Sequence, residues 1–277
     1  MFSKLFWGFT FFCSSINAWA GGPQFKHVVV VIFENASYSN VVKDPFFAKV
    51  AAQGALFTQF IAESHPSQPN YIALVSGDTQ GVRSDSNVDL NSTHIGTTLK
   101  KAGLDWKVYA ENLPNSCFLG SAQGRYVRKH VPFYSFTDVQ KSAAECAKIV
   151  DATEFQRDLS KRALPAFSLY IPNLDNDGHD TGVSYASKWF SGAFSSVFSD
   201  AETLKDTLFV ITFDESDNFI GKNQVYTVLL GANVVPGTTV NGLTSHYSVL
   251  RTIEDAYSLQ SLGRKDQTSS PISGIWR

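Results

Sequence analysis

The stretch HVVVVIF, His27–Phe33, constrains the fold more than any other part of the sequence. Its β-branched residues Val28–Ile32 run without a polar interruption. A strand with one solvent-exposed face would alternate apolar and polar residues, so this segment fits a strand that is buried on both faces. Such strands are typical of parallel sheets whose two faces are covered by helices.

Further apolar runs alternate with helix-like segments along the chain. Strands are predicted at 55–62, 105–110, 166–171, 207–213 and 225–230. Helices are predicted at 45–53, 69–76, 93–101, 152–163, 185–201 and 246–257. This alternation predicts an α/β fold of three layers, with a mostly parallel central sheet and helices on both faces.

Residues 1–20, MFSKLFWGFTFFCSSINAWA, have the pattern of a secretory signal peptide. They carry one cation at Lys4, a short apolar run and small residues before a cleavage site near Ala20. The run is too short to span a bilayer, which takes about 20 apolar residues. We therefore expect a secreted or periplasmic protein without an integral membrane segment. Residues 21–277 show no internal repeat or low-complexity linker and are expected to form a single domain.

The charge balance and the cysteines bear on possible partners and on a disulfide. The formal net charge is −2 and no basic run occurs, so no nucleic-acid partner is expected. Removal of the signal peptide would leave Cys117 and Cys146 as a pair in an oxidising compartment. One disulfide between them is expected, with two free thiols as the alternative.

Polar side chains follow four of the predicted strands. Glu34 and Asn35 come after the first, the segment 64–70 after the second, the loop 175–179 after the fourth predicted run, and Asp214 with Glu215 after the 207–213 run. Because ligands of parallel sheets collect at the carboxyl ends of the strands, these residues are expected to meet at one edge.

Ser67 has two interpretations. It stands in the sequence HPSQPN, just ahead of the predicted helix at 69–76, where Pro69 suits a first helical turn. Free backbone N–H groups there favour a phosphate or sulfate, which the Ser67 hydroxyl would then meet. The alternative is an ordinary helix cap.

Two groups of residues are candidate metal ligands. Glu34, Asp214 and Glu215 would repel one another without a cation, and Ser67 would add a hydroxyl oxygen. Asp175, His179 and His246 offer the oxygen and nitrogen donors that zinc takes; the alternative is a turn for the first two and a capping or core-edge position for His246.

Five motifs, in order along the chain, resemble those of a known family. They are HVVVVIFENASYSNV, HPSQPNYIALVSG, NLDNDGHD, ITFDESD and SHYSVLRTIEDAYSL. They are similar to the motifs of the phosphoesterase family of secreted acid phosphatases and bacterial phospholipases C, and more distantly to the alkaline phosphatase superfamily. The resemblance implies an alkaline-phosphatase-like sandwich and a phosphoric ester hydrolase.

The resemblance also implies roles for single residues. Ser67 would form a phosphoserine intermediate, and His130 would protonate the leaving group. Phosphate-binding roles fall to Asn35, Asn87 and Lys129. Metal ligands would be Glu34, Ser67, Asp214 and Glu215 in one site and Asp175, His179 and His246 in a second.

The implied cofactor is one or two divalent metal ions. Zinc is expected, with a harder ion such as Mn, Mg or Ca at the Glu34, Asp214 and Glu215 site, because the pyrophosphatase relatives have Asp-His where this chain has Asp-Glu. The implied substrate is a small phosphomonoester. Two alternatives stay open: a phospholipase C that cleaves phospholipid head groups, and an inactive exported metal-binding module.

Overall fold

The computed structural model describes residues 23–277. The strands are β1 (His27–Phe33), β2 (Ala55–Phe57), β3 (Trp106–Ala110), β4 (Ala122–Gln123), β5 (Tyr126–Val127), β6 (Ile149–Asp151), β7 (Phe167–Ile171), β8 (Thr207–Phe213), β9 (Thr227–Gly231) and β10 (Thr238–Val240).

The α-helices are α1 (Tyr38–Val41), α2 (Pro45–Gln53), α3 (Ser67–Ser76), α4 (Ile95–Lys101), α5 (Thr137–Gln140), α6 (Ala143–Cys146), α7 (Thr153–Ser160), α8 (Val183–Phe194), α9 (Ala201–Asp206), α10 (His246–Ala256) and α11 (Lys265–Thr268). Short 3₁₀ helices cover Arg128–His130, Pro132–Ser135 and Val197–Ser199.

Eight strands form the central sheet in the order β10-β2-β9-β8-β1-β7-β3-β6. Strand β1 lies between β7 and β8 and is parallel to both. Within the part of the chain that the structure describes, β9 is the one strand that runs against the others in this sheet, because it is antiparallel to β8 and to β2. The carboxyl ends of β1, β7 and β8 therefore meet at one edge.

Both faces of the sheet are covered. Successive side chains of a strand point to opposite faces, and Val28 to Phe33 in β1 are all fully buried. On one face, Phe33 packs against Phe47 of α2 and Phe190 of α8 at ring distances of 5.3 and 5.0 Å. This confirms the predicted three-layer α/β fold with a mostly parallel sheet.

The element boundaries match the sequence prediction best where a run is long and apolar. Strands β1 and β8 begin and end as predicted. The run at 55–62 forms a strand only over Ala55–Phe57, and β6 and β10 were not predicted because each has three residues and no continuous apolar run. The Cys117–Cys146 disulfide is formed.

The predicted signal peptide lies outside the described residues. Between residues 23 and 277, no helix is both long enough and apolar enough to cross a bilayer.

Candidate active site

The site begins where β1 and β8 end side by side. Phe33 pairs with Phe213 in the parallel ladder, so the next residues, Glu34 and Asp214, are brought together at the carboxyl edge. The backbone N–H of Asn35 donates to Asp214 Oδ1 at 3.2 Å, and the Asn35 side chain donates to Glu34 Oε2 at 3.2 Å. Asn35 adopts a positive φ of 47°, a conformation that asparagine tolerates better than most residues.

Ser67 faces these carboxylates from the start of α3. The helix begins at Ser67 itself, two residues earlier than predicted, and Pro66 is its N-cap. Ser67 is buried, and its Oγ lies 3.0 Å from both Glu34 Oε2 and Glu215 Oε1. The Ser67 hydroxyl is therefore directed at two carboxylates and does not cap the helix.

Glu34 is held by Tyr71 and His130, in addition to Ser67 and Asn35. The Tyr71 hydroxyl, one helical turn after Ser67, donates to Glu34 Oε1 at 2.7 Å. His130 Nε2 lies 2.9 Å from the same oxygen, and the imidazole stacks on the Tyr71 ring at 5.0 Å. Burial raises the pKa of Glu34, but His130, Lys129 and Tyr71 outweigh it and lower this pKa to about 2. Glu34 is thus an ionised acceptor at neutral pH.

Asp177 is a buried member of the site that sequence reasoning missed. Its Oδ2 lies 3.6 Å from His130 Nδ1, and its Oδ1 accepts the backbone N–H of His179 at 2.8 Å. Burial and the nearby charge of Glu34 raise the pKa of Asp177 to about 9. The only sequence signal was its place in NLDNDGHD, between the two residues that were predicted as ligands.

Four buried carboxyl groups, here named the carboxylate cluster, meet at this edge: Glu34, Asp177, Asp214 and Glu215. Burial, followed by the charges of Glu34 and Glu215, raises the pKa of Asp214 well above its usual range. Burial also raises the pKa of Glu215, against the opposing effect of His65. His65 Nδ1 contacts Glu215 Oε2.

The donor chemistry of this cluster fits a divalent cation. Among the described residues, Asp214 Oδ2 and Asp177 Oδ2 are buried oxygens without a hydrogen-bond partner. Such oxygens are costly to bury unless a cation or a proton meets them. As the side chains stand, no group of three or more His, Cys, Asp and Glu residues within 23–277 is arranged as a metal site. The fit therefore rests on the type and burial of the donors.

Lys129 adds a positive charge beside the cluster. Its Nζ lies 2.9 Å from Asp85 Oδ2, and Asp85 Oδ1 accepts the backbone N–H of Gln68 at the start of α3. Burial lowers the pKa of Lys129, but Glu34, Asp85 and Asp214 outweigh it and raise this pKa. Lys129 is thus a cation that Asp85 links to the start of α3. Asn87, by contrast, donates to Ser121 at 3.1 Å.

The three residues predicted as ligands of a second metal ion contact other groups and not one another. Asp175 Oδ2 lies 3.0 Å from Arg125 Nε, and His179 Nδ1 lies 2.9 Å from Asp180. His246 is fully buried, with Nε2 3.2 Å from the Phe213 carbonyl. Burial lowers the pKa of His246 to about 4, so the ring is neutral. No contact among these three is seen in the described part of the chain, and their shared role stays a prediction.

The fold matches that of solved alkaline phosphatase superfamily proteins. A superfamily member from Vibrio parahaemolyticus aligns with a TM-score of 0.61 at 13% identity, over 91% of this chain and 71% of that one. Murine ectonucleotide pyrophosphatase/phosphodiesterase 5 aligns with a TM-score of 0.57 at 11% identity, over 87% and 97% of the two chains. At such identities the likeness shows the fold.

The sequence matches are closer and define the family. The chain belongs to the Phosphoesterase family, whose model matches residues 42–260. It is 36% identical to the phosphatidylinositol-3-phosphatase of Mycobacterium tuberculosis, over 92% of this chain and 84% of that protein. It is 33% identical to the acid phosphatase of Aspergillus fumigatus, covering 88% of this chain but 58% of that longer protein. By class the chain is a phosphoric ester hydrolase.

Proposed function

We propose that this protein is an exported, metal-dependent acid phosphatase that hydrolyses phosphomonoesters through a phosphoserine on Ser67. The observation that carries the proposal is the environment of that hydroxyl. Ser67 Oγ is buried, at the first turn of a helix, and 3.0 Å from carboxylate oxygens of both Glu34 and Glu215. A serine becomes a nucleophile when an adjacent base takes its proton, and here two carboxylates are in reach.

In this proposal each neighbour of Ser67 has a task. Glu215, whose Oε1 lies 3.0 Å from Oγ and whose pKa burial raises, receives the serine proton as Oγ attacks phosphorus, while Glu34, ionised and fixed by Tyr71, orients the hydroxyl. Lys129 and Asn35 hold the phosphoryl oxygens, so that the developing negative charge is met by a cation and an amide. His130 lies between Glu34 and Asp177 and supplies a proton to the departing alkoxide.

Glu34, Asp214 and Glu215, with Ser67, would hold a divalent cation. When bound, such an ion stabilises negative charge on the serine oxygen and on the phosphoryl oxygens. The unpartnered Asp214 Oδ2 supports this assignment. Asp175, His179 and His246 remain proposed ligands of a second ion.

The names of the relatives support monoester hydrolysis. The mycobacterial protein is named for a phosphoinositide monoester, and the fungal proteins are named acid phosphatases. Phosphodiester cleavage is therefore the alternative that the experiment must separate. Export rests on the signal-like sequence of residues 1–20.

The test compares three proteins on p-nitrophenyl phosphate and on p-nitrophenyl phosphorylcholine, after chelation and readdition of divalent metals. They are wild type, Ser67→Ala and the control Ser76→Ala, whose buried hydroxyl in the same helix binds the Ile72 carbonyl. We expect wild type and Ser76→Ala to hydrolyse the monoester, and Ser67→Ala to lose at least about 1,000-fold in kcat/KM. A phosphoserine trapped by acid quench in wild type supports the intermediate.

Other outcomes would overturn parts of the proposal. Activity of Ser67→Ala equal to that of wild type would remove the nucleophile assignment. Turnover of the diester alone would make the protein a phosphodiesterase. Full activity after exhaustive chelation would remove the metal dependence.

A further inference from the structure

A carboxylate outside the carboxylate cluster lies at the first turn of α3. Asp85 Oδ1 accepts the backbone N–H of Gln68, the residue after Ser67, at 3.0 Å. Asp85 Oδ2 lies 2.9 Å from Lys129 Nζ. One oxygen of the carboxylate is thus paired with a helix N–H and the other with a cation. A phosphate group at the start of a helix is bound by the same two kinds of group.

The backbone on both sides of Asp85 is fixed to α3 by the buried side chain of Gln68. Gln68 Nε2 donates to the Ser84 carbonyl at 2.9 Å and to the Ser86 carbonyl at 2.7 Å. The Asp85 side chain itself is 34% exposed, whereas that of Lys129 is 18% exposed. Rotation about the side-chain bonds of Asp85 would therefore carry its carboxylate into water while the backbone stays in place.

Lys129 is shared between Asp85 and the carboxylate cluster. Burial lowers the pKa of Lys129, and the charges of Glu34, Asp85 and Asp214 raise it. The ammonium group is therefore within electrostatic reach of the carboxylates around Ser67 Oγ. A phosphate dianion that approaches Ser67 enters among these carboxylates, and like charges repel strongly where water is excluded. Binding of the dianion thus needs the cation that Asp85 holds.

We propose that Asp85 competes with the phosphate group of the substrate for Lys129 and the Gln68 N–H, and that the ester binds by displacing the Asp85 carboxylate. The proposal rests on the phosphatase function given above, in which Lys129 holds the phosphoryl oxygens, and adds a residue that sets the affinity for phosphate. A site that is open for a fraction of the time binds its ligand more weakly by that fraction. Asp85 therefore weakens binding of the ester and promotes release of inorganic phosphate.

The alternative role of Asp85 is to position Lys129. In that role the carboxylate stays against the ammonium group when phosphate binds, and its removal would let Lys129 move and would weaken binding. Competition predicts the opposite, because removal of the competing charge leaves Lys129 and the Gln68 N–H free for phosphate. The sign of the change in phosphate affinity therefore separates the two roles.

The test compares wild type with Asp85→Asn, Asp85→Ala and the control Asp89→Asn, each with one divalent metal in excess. Asp85→Asn keeps the size of the side chain and removes its charge, and Asp85→Ala removes the competing group altogether. Asp89→Asn makes the same charge change in the same loop between α3 and α4, but Asp89 lies 3.4 Å from Arg128 Nη2. Binding of inorganic phosphate is measured by isothermal titration calorimetry. Inhibition of p-nitrophenyl phosphate hydrolysis by inorganic phosphate gives Ki.

We expect Asp85→Asn to bind inorganic phosphate about tenfold more tightly than wild type, with Ki lowered to the same extent. Asp85→Ala should tighten binding at least as much, and Asp89→Asn should keep the wild-type Kd. A gain of affinity is not the result of general structural damage. Because calorimetry measures binding without turnover, absence of hydrolysis would count against the phosphatase function and leave the comparison of phosphate affinities valid.

Three outcomes would overturn the proposal. Weaker phosphate binding by Asp85→Asn and Asp85→Ala would assign Asp85 to the positioning of Lys129. Equal tightening in Asp85→Asn and Asp89→Asn would show a general effect of net charge. An unchanged Kd in both Asp85 variants, or no binding of phosphate by wild type, would show that Asp85 and phosphate do not compete for these groups.

Discussion

The Tyr71 hydroxyl offers a sharp test of whether Glu34 is part of the machinery. Tyr71→Phe keeps the ring, and with it the stacking on His130, and removes only the 2.7 Å hydrogen bond to Glu34 Oε1. A hydrogen bond to a charged group contributes about 1.5–3 kcal/mol, so the free energy of unfolding at neutral pH should fall by about that amount. Removal of the Tyr71 hydroxyl leaves the buried Glu34 Oε1 with His130 as its remaining close partner.

Tyr226 provides the matched control. It is buried like Tyr71 and donates at the same 2.7 Å, but to the neutral carbonyl of Phe47. Tyr226→Phe should cost about 1 kcal/mol of stability and leave activity unchanged. Tyr71→Phe should in addition lower kcat/KM for p-nitrophenyl phosphate by about 10–100-fold, as is typical when the outer partner of a functional carboxylate is removed.

Urea denaturation of both variants and steady-state kinetics in excess divalent metal would check these values. The assignment of Glu34 to the catalytic machinery is refuted if Tyr71→Phe retains the wild-type kcat/KM while it loses stability. It is equally refuted if Tyr226→Phe loses as much activity as Tyr71→Phe, because the effect would then be one of general stability.

Two further predictions concern buried carboxyl groups. Burial and the charge of Asp266 raise the pKa of Glu254 from 4.5 to about 8, so its folded form prefers the proton. Wild-type stability should therefore fall as the pH rises from 4.5 to 8, and Glu254→Gln should show a smaller fall in urea titrations because it lacks this contribution. Asp177→Ala removes the group next to His130 and should lower kcat/KM about 100-fold in steady-state assays. Asp177→Asn should restore most of the activity, and failure of that rescue would show that the carboxyl group itself is needed and not only a neutral hydrogen-bonding group at this position.

The sequence predicted which strand ends carry the site, because the patterns that indicate strands are local in the sequence. The unbroken apolar runs of β1 and β8 fix two neighbouring parallel strands, and acids directly after them must then meet. Ser67 was expected at the same edge from the same rule. Its position inside the helix, with the hydroxyl directed at Glu34 and Glu215, depends on how α3 packs across the sheet ends.

Tyr71 and Asp177 were not predicted, and the reason is physical. An aromatic residue one turn into a buried helix has the pattern of core packing, and only the tertiary approach of Glu34 gives its hydroxyl a partner. In NLDNDGHD, which aspartate turns inward depends on the path of the loop. The backbone N–H of Glu34 donates to the Asp177 carbonyl at 3.0 Å, which holds Asp177 against the end of β1. Asp175 instead forms an ion pair with Arg125.

The same geometry predicts how the protein responds to cations. Asp214 Oδ2 and Asp177 Oδ2 are buried without hydrogen-bond partners, so a cation that meets such oxygens should bind the folded state and not the unfolded chain. A divalent ion at 100 times its Kd then raises the free energy of unfolding by about 2.7 kcal/mol.

Differential scanning fluorimetry of chelated protein, with metals added singly, would measure the rise in Tm without any substrate. Asp214→Asn should remove most of that rise, and Asp105→Asn, which changes an exposed carboxylate paired with Lys148, should keep it. An equal rise in all three proteins would locate the cation elsewhere, because loss of the buried Asp214 carboxylate would then have cost no affinity.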